Sequence, residues 1–166
     1  MSMETPARTF PPLAEDAVVE DIVARFRART LPREAWTHQS HLAVGLWHVL
    51  RHGEEAALAL LRDGIRAYNE AVGVPNSDTR GYHETVTRYY AWAAARFLEH
   101  AGEGRLAGLV DRFVASRLGS KEGIFAFWSR AGLLSVEARR GWVPPDLAPL
   151  EAARLEAPVD AAQGAT

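Results

Sequence analysis

Two short stretches of this chain hold residues of the type and spacing that do chemistry. His38 and His41 stand three apart in Trp36-Thr37-His38-Gln39-Ser40-His41-Leu42, and Glu84 directly follows His83 in Gly81-Tyr82-His83-Glu84-Thr85. Imidazoles three apart on a helix rise from adjacent turns of one surface and can reach a single ion. A third imidazole and a carboxylate from a facing helix would complete a divalent metal site. On that reading His38, His41 and His83 are metal ligands. Glu84 is a fourth ligand or an acid/base beside a metal-bound water. Nitrogen donors dominate, so zinc, iron or nickel is expected rather than magnesium. The chain contains no cysteine, which excludes disulfides, thiolate-bound zinc, iron–sulfur clusters and a thiol nucleophile.

Asn69, Asn76, Arg80 and Tyr82 lie close in sequence to the second stretch. The planar guanidinium of Arg80 suits a carboxylate or phosphate. It is the expected anchor of a small anionic substrate, with Asn69 and Asn76 as further binding candidates. Tyr82 is expected as a hydroxyl at the pocket mouth that orients the substrate and joins Glu84 as a catalytic candidate. Each also has a plain alternative: a solvated loop arginine, a turn asparagine, a packed tyrosine. Of the remaining histidines, His48 and His52 read as border residues, and His100 meets a helix C-terminal dipole. Arg139, Arg140 and Asp146 read as a salt-bridge cluster tying the C-terminal segment to the bundle.

Positioning these groups requires helices. Residues 1–13, with three prolines, read as an extended or disordered lead-in. Apolar residues at helical spacing then predict helices from Ala14 to Thr30, from Thr37 as N-cap to His52, and from Glu54 to Val72. The loop Gly73–Gly81 follows, then helices from Tyr82 to Glu99 and from Arg105 to Arg117. A shorter helix starts at Ser120, further turns run from Leu133 to Arg139, and residues 151–166 read as a mostly disordered tail. The expectation is an all-α single domain over 14–150, a bundle of five or six helices with an up-down core. Up-down-up packing of the second, third and fourth helices brings His38, His41, His83 and Glu84 to one end. The Ser120-Lys121-Glu122 segment returns to that end too.

Composition narrows the class. The 166 residues are 48% hydrophobic and 24% charged, with 19 Lys+Arg against 21 Asp+Glu. A formal charge of −2 gives no global attraction to nucleic acid or an anionic membrane. No apolar run is long enough for a transmembrane helix and no targeting signal is evident, so a cytoplasmic protein is expected. A homodimer is compatible with the composition. Walker A, GxGxxG, GxSxG and HExxH motifs are all lacking.

The stretches around Trp36 and Gly81, with Tyr68-Asn69-Glu70-Ala71 and Pro145-Asp146-Leu147, resemble an uncharacterised family of small bacterial all-helical proteins. The resemblance covers most of the chain from Trp36 to Leu150 and implies no particular activity. More distantly the chain looks like the DinB/YfiT-type bundles, which use three histidines on a four-helix scaffold; the second and third histidines are spaced differently here. The leading expectation is a small metal-dependent lyase, hydrolase or oxygenase. The alternatives are a non-catalytic helical module that binds a ligand or protein, its histidines hydrogen-bonded to the Gly73–Gly81 loop, and metal-free acid/base chemistry by His83 and Glu84.

Overall fold

The computed structural model describes residues 12, 13 and 15–156, so most of the expected lead-in and the last ten residues of the expected tail lie outside the described residues. Five long helices form the body: α1 (Asp16–Ala28), α2 (His38–His52), α3 (Glu54–Ala71), α4 (Glu84–Ala101) and α5 (Leu106–Ala115). Three short ones follow, α6 (Arg130–Leu133), α7 (Val136–Arg140) and α8 (Ala153–Glu156). Among the described residues there is no strand. No described helix is long and apolar enough to cross a membrane.

α2 is the central element because its apolar residues surround the helix instead of forming a stripe. Leu42, Ala43, Val44, Leu46, Trp47 and Val49 are all buried, which requires neighbours on several sides. α1, α3, α4 and α5 supply them. Thr37 caps α2 by accepting the Ser40 amide. Gly53, at φ +79°, turns the chain directly into α3. The single-residue link makes α2 and α3 antiparallel neighbours.

The 74–83 segment folds over the C-terminal end of α3. Asn76 organises it: its Oδ1 accepts from Asn69 Nδ2 and from the Tyr82 amide, and its Nδ2 donates to the Arg66 carbonyl. Gly81 completes the turn at φ +83°, where an added Cβ would lie 2.3 Å from the Pro75 carbonyl oxygen. From the other side Arg139 donates to the carbonyls of Gly81 and Tyr82, and Arg140 grips Asp78 with two bonds. The expected charged cluster therefore divides. The two arginines of α7 hold this loop, while Asp146 accepts from Ser129.

Beyond α5 the chain has little regular structure of its own, and side chains of the long helices satisfy its carbonyl groups. Tyr89, Tyr90 and Thr85 of α4 donate to Leu118, Ser120 and Gly141. His38 donates to Gly119 and His83 to Leu133. The segment taken as tail contributes Leu155, which is buried against the core. His48, expected at the border, is buried too, its Nδ1 donating to Val44 O one turn back.

Two glycines give opposite stability expectations. Gly81→Ala should lower stability by at least roughly 1–3 kcal/mol, because the backbone conformation and the Pro75 carbonyl both resist a Cβ. Gly45 sits inside α2 with nothing within 4 Å of a Cβ. Gly45→Ala should therefore raise stability by roughly 0.5–1 kcal/mol through helix propensity. Denaturant unfolding of the two variants measures both signs.

Candidate binding cleft

α2, α3 and α4 leave two adjoining chambers between them. The first, of about 340 Å³, lies under the 74–83 segment and is walled by Trp36, Tyr68, Val72, Val74 and Tyr82, with Arg33 at its edge. The second, of about 300 Å³, is walled by Leu42, Gly45, Leu61 and Phe113, with His38, Tyr90 and Lys121 along one side. His41, Ile65, Val86 and Thr87 border both chambers and form the waist between them. The lining is mainly apolar with a few polar groups, the usual character of a small-molecule site.

The expected site residues divide sharply within this geometry. His83 is not on the apolar face of α4, because the helix begins at Glu84 and His83 is its N-cap. The imidazole Nδ1 accepts the Val86 amide at 3.2 Å, so the ring proton is on Nε2, which donates to Leu133 O at 2.8 Å. Both nitrogens are engaged. His38 gives Nε2 to Gly119 O at 2.8 Å. These bonds reach the segments beyond α5, not the Gly73–Gly81 loop.

Glu84 turns away from the cleft. Arg62 of α3 grips its carboxylate through Nε and Nη2, and the Tyr82 hydroxyl donates to the same group. Burial pushes this carboxyl upward, but the hydrogen bonds from Arg62 and Tyr82 and the Arg62 charge outweigh it and hold the group below its ordinary range. Burial, and then the bond to Glu84, raises the Tyr82 hydroxyl. Arg62 was not anticipated from sequence. A carboxylate as buried as Glu84 calls for a cation, and only the fold shows which one answers.

The substrate candidates fare similarly. Arg80 is exposed and lines neither chamber. Asn76 is the loop organiser, and Asn69 borders the first chamber but donates its amide to Asn76. Lys121 and Arg33 are the cations that do border the cleft.

His41 differs from the other cleft histidines. Its Nδ1 lies 2.7 Å from Thr37 O and carries the proton, which leaves Nε2 as the lone-pair nitrogen on the opposite side of the ring. No described residue bonds that nitrogen. The ring lies against Trp36 with centroids 3.7 Å apart and the planes tilted by 31°. Solvent reaches His41, although protein crowds it on most sides. That crowding lowers its proton affinity against the pull of the Thr37 carbonyl, with smaller downward contributions from His38 and Lys121.

Among the described residues no three histidine or acidic side chains gather where they could hold a metal ion. The donors expected for zinc, iron or nickel therefore do not fit that group as arranged. His83 would have to give up its helix cap and its Leu133 bond, and Glu84 its arginine. Lys121 adds a positive charge beside His38 and His41.

Two measurements follow from these bonds. Arg62→Met removes the cation from the buried Glu84 carboxylate, which keeps only its Tyr82 bond, and should cost roughly 1–3 kcal/mol in unfolding free energy. Acid sensitivity should come from imidazoles. His38, His41, His48 and His83 are all lowered from 6.5, each chiefly by loss of solvent. Below that value the unfolded chain binds protons that the folded chain refuses. Stability should therefore hold above pH ~6.5 and fall as pH drops through the window down to the lowered native values. The lowered carboxylates Glu84, Asp78 and Asp146 lose their contributions only in a more acidic range. Melting temperatures recorded between neutral and mildly acidic pH should show the decline, with a shallower slope in a His38→Gln, His83→Gln double variant.

No protein-family model, curated protein or solved structure matches this chain.

Proposed function

We propose that this protein binds a small, largely apolar organic molecule in the two-chambered cleft, with one anionic or strongly accepting group turned toward Lys121. The observation that carries the reading is the makeup of the second chamber. Leu42, Gly45, Leu61 and Phe113 offer apolar surface, and Lys121 stands at its side with no ion-pair partner among the described residues. An apolar body removed from water contributes about 25 cal/mol per Å². A carboxylate beside an unpaired ammonium adds a charge-assisted hydrogen bond. The expected anionic ligand is thus kept, and its anchor moves from Arg80 to Lys121.

A titration series tests this reading. Octanoate should bind saturably, octanol more weakly and acetate not at all, followed by the fluorescence of Trp36 and the other tryptophans. Lys121→Met should remove the preference for octanoate over octanol. Gly45→Leu, which fills open space in the chamber, should weaken octanoate by ~10-fold or more, equivalent to ~1.4 kcal/mol. Equal octanoate binding by Gly45→Leu, or no saturable binding at all, overturns the assignment. Stoichiometric zinc, iron or nickel in untagged protein, lost in His38→Ala, would replace it with the metal-dependent enzyme expected from the histidine pattern.

A further inference from the structure

We propose that His41 is a general base, placed at the waist of the cleft to take a proton from a molecule held there. The proposal rests on the cleft accepting small molecules and goes further by naming a reaction. Three features of one ring support it. The Thr37 carbonyl fixes the proton on Nδ1, so Nε2 carries the lone pair. Trp36 packs closely against the ring, with centroids 3.7 Å apart, and limits its rotation. His41 borders both chambers, so a molecule spanning the waist passes against it. His83 and Glu84, the acid/base pair expected from sequence, are committed to a helix cap, a backbone carbonyl and Arg62. His41 keeps a nitrogen with no described partner.

Lys121 supplies the complementary charge. It lines the same chamber and is close enough to influence both His38 and His41 electrostatically. A cation there favours the anion that forms as a proton leaves, and in an apolar chamber such preorganised charge counts for more than in water. The substrate class is a compact apolar molecule with an acidified C–H or O–H and an electron-accepting oxygen. An enolisable ketone is one such molecule.

A nitrobenzisoxazole is a suitable probe, because its ring opening needs only a base. His41 Nε2 takes the ring C–H proton. The C–H electron pair becomes part of the new nitrile triple bond, and the N–O bond breaks. The N–O bonding pair passes to the oxygen, which stays on the ring as a phenolate facing Lys121, and water takes the proton from the imidazolium. The protein should accelerate this elimination ~10²-fold or more over imidazole at equal concentration, the usual scale of a positioned base. His41→Gln should remove the acceleration while the probe still binds. Lys121→Met, at an exposed position, should lower kcat more than it raises KM, and octanoate should inhibit competitively. If the probe binds but elimination is no faster than with free imidazole, or if folded His41→Gln keeps the full rate, the base assignment fails and the binding site stands. If the probe and octanoate both fail to bind, the cleft reading fails, and this inference fails with it.

Discussion

The constraint on which this fold depends is the need to satisfy the backbone of the chain beyond α5. Residues 116–143 cover the flanks of α2 and α4 with only short helical turns, so many of their carbonyls have no partner in their own backbone. An unpaired buried carbonyl costs about as much as a lost hydrogen bond. The long helices answer with side-chain donors. Tyr89, Tyr90 and Thr85 serve Leu118, Ser120 and Gly141, and the imidazoles of His38 and His83 serve Gly119 and Leu133; within the segment itself Trp128 serves Val143. Tyr68 does the same for Leu31, before α2. Polar residues buried in apolar helix faces are thus the connectors between the bundle and its wrapping.

This constraint explains the electrostatic state of the histidines. An imidazole that donates one N–H to a carbonyl within the protein has little solvent to stabilise a second proton, and burial is the largest downward influence at His38, His48 and His83 alike. A carbonyl partner pulls the other way without overcoming it. A neutral imidazole has one donor and one acceptor, so binding the carbonyl leaves its acceptor nitrogen to be accounted for. His83 spends that nitrogen on the Val86 amide. His41 follows the same rule with the Thr37 carbonyl at the start of its own helix, and its acceptor nitrogen has no partner among the described residues.

Much of the scaffold was legible from sequence because it depends on short-range physics. Apolar spacing gives the five long helices, Thr37 caps α2 as expected, and Gly53 turns the chain into α3. The convergence of His38, His41, His83 and Lys121 around one cleft also follows from helix phase and chain direction. The roles of these residues were not legible, because each is set by a partner remote in sequence. Nothing near His83 announces Leu133, fifty residues away, and nothing near Glu84 announces Arg62. One boundary had a large effect. With α4 beginning at Glu84, His83 becomes a cap and leaves the face assigned to it.

Backbone bracing also places Lys121, and not Arg80, beside the second chamber. Arg80 belongs to a loop whose geometry is set from inside by Asn76 and from outside by Arg139 and Arg140. That bracing closes the loop over the first chamber and leaves the Arg80 side chain in solvent. Lys121 lies in the segment that His38 and Tyr90 pin through the carbonyls of Gly119 and Ser120, the residues just before it. The two bonds that satisfy this backbone therefore also hold the lysine at the chamber side. The polar bonds that wrap the bundle and the charge that faces the cleft thus have one origin, the backbone accounting at residues 119 and 120.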